Sequence, residues 1–132
     1  MQERYERLIH MAEYNMKEIW VFASNLAGKH GAGSALHAKR FYGAKYGIGI
    51  GMQGDSYAIP TKDKNLKVMP LKEIEHHVKD FLSYAKKNED LAFNVVKIGC
   101  GLAGYKPEEI APMFEGYSEN VKLPKEFIDI IG

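Results

Sequence analysis

Two loops carry the residues best suited to chemistry. In "VFASNLAGKHGAGSALH" an apolar run ends at Ser24 and Asn25, passes Gly28, His30, Gly31, Ala32 and Gly33, and reopens as a helical pattern. In "IGCGLAGYKPEE" the order recurs: an apolar run, then Gly99, Cys100, Gly101, Leu102, Ala103, Gly104 and Tyr105, then a proline and two glutamates suited to a first helical turn. Backbone N–H groups in such loops lie at the positive ends of helices and can hold an anion, and glycine permits close approach because no Cβ intervenes. Neither loop is a standard nucleotide fingerprint. The first lacks the Gly-Lys-Ser/Thr ending of a P-loop, and Leu36 stands where a Rossmann loop requires its third glycine. One such loop on its own is explained by a tight turn. Two in so short a chain favour an anion cleft.

Few side chains near these loops suit acid–base work. His30, in the first loop, can exchange protons near neutral pH and is one catalytic candidate, with Asn25 the other; an exposed loop histidine is the plainer expectation for His30. His37, one turn into the following helix, reads as a packing or hydrogen-bonding residue. Cys100 sits close to a helix start that could lower its pKa, but no histidine is its evident partner. His76 and His77 are adjacent on a helix, so they face different ways and do not chelate, and no metal site is expected. Asp55, Lys62 and Asp63 flank a short strand, within reach of a nucleotide or simply solvated.

The elements that must position these loops follow from periodicity. Residues 2–14 show the three-to-four spacing of an amphipathic helix packed on the outside, and residues 19–23, "IWVFA", read as an inner strand. Residues 34–42 read as a helix stopped by Gly43; the glycine-rich residues 46–55 form an exposed irregular loop feeding a short strand over 56–59. Pro70 opens the strongest helix, to about Lys87, and residues 91–98 give another apolar strand. A helix from about Pro107, a short strand over 120–123 and a helical turn over 124–131 complete the chain. Alternating strands and helices imply an α/β fold with a mixed or parallel sheet, whose ligands sit beyond the carboxyl ends of the strands.

Bulk properties limit the function classes. The 132 residues suit a single domain, 1–132, with the helix within residues 1–16 packed on its core. Lysine and arginine total 18 against 17 acidic residues, a net charge of +1, which argues against nucleic acid as partner. The single cysteine excludes an internal disulfide. No apolar run nears the roughly 20 residues that cross a bilayer, and the N-terminal residues lack a signal peptide's apolar stretch. A cytoplasmic protein without membrane partners is expected.

"VFASNLAGKHGAGSALHAKRFYG" resembles the first ligand loop of macro domains, where a strand ends in Asn and the next helix opens on an Ala-Ile-His-like triplet, here Ala35-Leu36-His37. "IGCGLAGYKPEEIAPMF" is similar to their diphosphate loop, with Gly101, Gly104, Tyr105 and Pro107 in its Gly-x-x-Gly-aromatic…Pro pattern. The likeness spans residues 19–123 and implies a three-layer α/β/α mixed sheet with helices on both faces. It also implies an ADP-ribose-like nucleotide ligand and no cofactor. By the same resemblance Asn25 meets the distal ribose, Gly31, Ala32 and Gly33 that ribose and the phosphates, and residues 99–104 the diphosphate, with Tyr105 bracing the loop and Ser24 among the ligand-binding residues. The chain departs from the family at four points: no early Asp-Ile pair to read adenine, Phe22 for the first Asn of Asn-Ala-Ala-Asn, Gly33 for the acid of some hydrolytic members, and Ala103 for the aromatic beside the distal ribose. The expected function is therefore nucleotide binding. The alternatives are a hydrolase of ADP-ribose derivatives, acting on ADP-ribosylated protein or ADP-ribose 1″-phosphate, and an interaction domain with no nucleotide site.

Overall fold

The computed structural model describes residues 16–132. The helix expected over residues 2–14 lies outside the described residues. Strand β1, Lys17–Asn25, buries Ile19, Val21 and Phe22 completely, because it runs through the middle of the sheet with both faces covered. It is longer than residues 19–23, since sheet pairing extends it at both ends. After a loop, helix α1, Gly33–Phe41, follows, and then the hairpin of β2, Gly51–Gln53, and β3, Ser56–Lys62. Strand β2 corrects the loop expected there: Gly54-Asp55 is a two-residue hairpin turn, and Gly51 and Met52 pair with Ala58 and Tyr57. Helix α2, Leu71–Lys87, leads to strand β4, Leu91–Val95, which is shorter than the run 91–98. The ladder ends because Ile98 N–H turns back to Val96 O at 2.8 Å. Helix α3, Pro107–Ile110, passes into a 3₁₀ turn, Ala111–Phe114, before strand β5, Val121–Lys122, and helix α4, Lys125–Ile131.

The sheet order is β2-β3-β1-β4-β5, antiparallel only between β2 and β3. The fold class is thus the expected mixed α/β sheet with helices on both faces. One face carries the main core, where Ile74, Val78, Phe81, Leu82 and Ala85 of α2 meet Tyr57, Ile59 and Phe93 of the sheet and Phe114 and Phe127 beyond it. Burying each large side chain of this kind contributes roughly 1.5–3 kcal/mol. The other face is thinner: Ala35 and Ala38 of α1 pack on Phe22 and Ala58, which lets α1 lie close to the sheet. Trp20 stacks on Tyr42 at the edge of this layer, ring centroids 5.1 Å apart. Buried Asn120 closes the far end, its Nδ2 donating to the carbonyls of Ala85, Asn88 and Leu91 at 2.9–3.1 Å.

Because β3, β1 and β4 are parallel, their carboxyl ends share one edge of the sheet. The chain leaves β1 for α1 on one face and β3 for α2 on the other. The crevice above β1 and β4 is where such a sheet offers a ligand site.

Candidate functional site

A cleft of about 690 Å³ opens at that edge. Ser24, Asn25, Gly31, Ala32 and Gly33 line it from the first loop, and Gly99, Cys100, Gly101, Leu102 and Ala103 from the second. Two loops some seventy residues apart in sequence therefore meet in one depression. The loops also approach each other directly, for a Cβ on Gly33 would stand 3.4 Å from Leu102 Cδ1.

The first loop is tied down by its own side chains. The Asn25 amide spans the turn, Nδ2 donating to Lys29 O and Oδ1 accepting from Lys29 N–H, both at 2.9 Å. One amide hydrogen and one oxygen lone pair remain available to a ligand. Ser24 Oγ donates to Gly49 O, and Ser34 Oγ accepts from Ala23 N–H at 3.2 Å, fastening α1 to the end of β1. Gly28, at φ +69°, lies so close to the next loop that a Cβ would stand 2.3 Å from Gly47 C. Only glycine fits there.

His30 is not the exposed loop residue expected. It is 0 % exposed and absent from the cleft lining, its ring edge-on to Phe22 at 5.3 Å. Its Nε2 lies 2.9 Å from Ile48 O and 3.2 Å from Gln53 Oε1. Lys45 N–H donates to that same Gln53 oxygen at 2.7 Å, which fixes the amide as an acceptor toward the ring. Two acceptors facing Nε2 place the proton on it. Its Nδ1 is buried with no partner among the described residues. Position thus removes His30 as an acid or base for a ligand in the cleft. Its work is to anchor the loop.

The second loop is held at its ends. Tyr105 N–H donates to Gly99 O at 2.9 Å, and Tyr105 Oη to Met69 O at 2.6 Å, so Tyr105 braces the loop from behind. Tyr105 and Gly104 lie off the cleft lining. Burial pushes the Cys100 thiol pKa up, only partly offset by Lys97. A neutral thiol at pH 7 is a poor nucleophile.

Among the described residues, the N–H groups of residues 31–35, and those of 99 and 101–103, have no acceptor within the chain. Helix α1 has no side-chain cap and no acidic residue in its first turn, and that turn, through Gly33, Ser34 and Ala35, lines the cleft. Lys29, Lys62 and Lys97 also line it, and no aspartate, glutamate or histidine is among the lining residues, although Lys97 Nζ pairs with Glu126 Oε2 at 3.6 Å from outside the lining. Sequence reading missed this lysine trio because its members are scattered; Lys62 alone drew attention, as a flank of β3. Asp63 spends its carboxylate on its own turn, and Asp55 pairs with Lys17 at 2.8 Å, so neither enters the cleft. His37 packs among Trp20, Phe41 and Tyr42. His76 faces Asp80 on α2, outside the cleft, and among the described residues no group of three potential metal ligands exists.

No family model matches the chain, and no curated protein matches it significantly. Among solved structures it is similar to Thermosipho africanus DarTG in complex with ADP-ribose, with a TM-score of 0.59 and 20 % identity over 88 % of this chain. The chain spans 40 % of the length of that structure. At this identity the likeness concerns the fold, which is mixed α/β of the macro-domain-like kind.

Proposed function

We propose that the cleft binds ADP-ribose or a related nucleotide diphosphate, held chiefly by the backbone of the two loops. The observation that carries this reading is the combination, in one cleft, of acceptor-free N–H groups from both loops with three lysines, of which Lys97 is paired with Glu126, and no carboxylate in the lining. A diphosphate supplies the charge that such a site lacks, and the uncapped start of α1 adds the positive end of a helix. The cleft falls within the roughly 300–1,000 Å³ usual for small-molecule sites. The free hydrogen-bonding positions of Asn25 suit a ribose hydroxyl. That the similar fold of DarTG is described in complex with ADP-ribose supports the same ligand class. Binding is favoured over hydrolysis because the lining offers no imidazole or carboxylate, and its one thiol stays protonated.

Titration calorimetry with ADP-ribose, ADP and NAD tests this, wild type against Gly101→Glu. A Cβ at Gly101 meets nothing within 4 Å, so the variant should fold and bring a carboxylate into the diphosphate loop. Affinity for ADP-ribose should fall at least tenfold, about 1.4 kcal/mol. If no ligand binds the wild type, or if the variant binds equally well, the reading fails. Turnover of ADP-ribosylated protein by the wild type would move it to hydrolysis.

A further inference from the structure

The turn after β3 contains the least ordinary backbone among the described residues. Residues 63–67 close a small hairpin in which Lys62 bridges Val68, Asp63 N–H donates to Lys67 O at 2.8 Å, and Leu66 N–H donates to Asp63 O at 3.1 Å. Asp63 Oδ1 accepts the N–H groups of Asn65 and Lys67 at 2.8 and 3.0 Å. Leu66 sits at φ +63°, the sole non-glycine residue with positive φ among the described residues. A hairpin turn that ends on a left-handed residue normally places glycine there, with asparagine as the tolerated substitute. Leucine at this position is strained.

That strain serves no burial. Leu66 is 43 % exposed and lines the cleft. Leu102, 69 % exposed, lines the same cleft from the second loop. Two large apolar side chains are thus offered to solvent in a wall otherwise made mainly of backbone, small residues and lysines. Backbone strain that persists at a ligand cleft points to a role for the strained side chain.

We propose that Leu66 and Leu102 form an apolar grip on a ring face of the bound nucleotide, while the loop N–H groups hold its phosphates; this rests on the nucleotide reading above. Apolar contact against a ring is indifferent to the hydrogen-bonding pattern of a base edge. The pair therefore selects ring-bearing ligands over inorganic phosphate, and where the gripped ring is the base it does so without discriminating strongly among bases.

The test compares wild type with Leu66→Gly and Leu66→Asn. Both residues accept a left-handed backbone, so Tm should rise by about 2–4 °C as strain is relieved. The Kd for ADP-ribose should nevertheless rise about five- to tenfold as the apolar contact is lost. Leu102→Ala should weaken binding in the same direction. Loss for ADP with ribose 5-phosphate unchanged assigns the gripped ring to the base, and loss for both assigns it to the ribose. Unchanged ADP-ribose affinity in both Leu66 variants, or a lower Tm in both, overturns the proposal. A wild type that binds none of these ligands overturns the nucleotide reading, and the grip with it.

Discussion

The first glycine loop is fastened to other parts of the chain over residues 25–30, whereas the second is fastened at its ends and by one turn of its own. Asn25 spans the first, His30 sinks into the layer beneath it, and Gly28 presses against Gly47. The second runs from Gly99 to Tyr105 with a single internal bond, Gly104 N–H to Gly101 O at 3.0 Å, and with Gly101 and Leu102 exposed. A ligand that meets both finds one side already ordered and must order the other. The stability of the first loop should therefore be sensitive to mutation where that of the second is not, and the second should bear the larger share of the entropic cost of binding.

The same chemical change in each loop would break or sharpen this contrast. Gly28→Ala puts a Cβ 2.3 Å from a backbone atom at positive φ, and should lower unfolding stability by about 3 kcal/mol in urea denaturation. Gly101→Ala meets open space and should leave stability within about 1 kcal/mol of wild type. Equal losses would mean that the loops are equally constrained. A smaller effect concerns Cys100. Since burial raises its thiol pKa, less thiolate is present at a given pH than for a free cysteine. Iodoacetamide labelling should accelerate with pH through a midpoint above the ordinary thiol range, and ADP-ribose should slow it because Cys100 lines the cleft. A midpoint at or below the ordinary value would contradict the buried placement of this residue.

The fold was legible where one period dominated. Ile19, Val21 and Phe22 announced an inner strand, and the stripe from Ile74 to Ala85 announced α2. Strand β2 was hidden because Gly49, Gly51 and Gly54 read as loop, although Gly54-Asp55 between Gln53 and Ser56 was a hairpin signal. Strand β4 was overextended because Val96 and Ile98 are apolar yet belong to a turn packed on the core. In the site, the glycine loops could be read locally, as strand, loop and helix in order. His30 could not, since its burial depends on Ile48 and Gln53 across another loop. Lys29, Lys62 and Lys97 converge only when three strand ends lie on one edge, which no local pattern encodes. Leu66 gave no signal either, because its backbone angle is set by bonds from Asp63.

The central claim is that both loops hold one diphosphate with their backbone. Amide NMR of ¹⁵N-labelled protein during titration with ADP-ribose tests it directly. The account predicts that the N–H resonances of residues 31–35 and of 99 and 101–103 move together along one binding curve. Movement confined to one loop, or two curves with different Kd values, would contradict it.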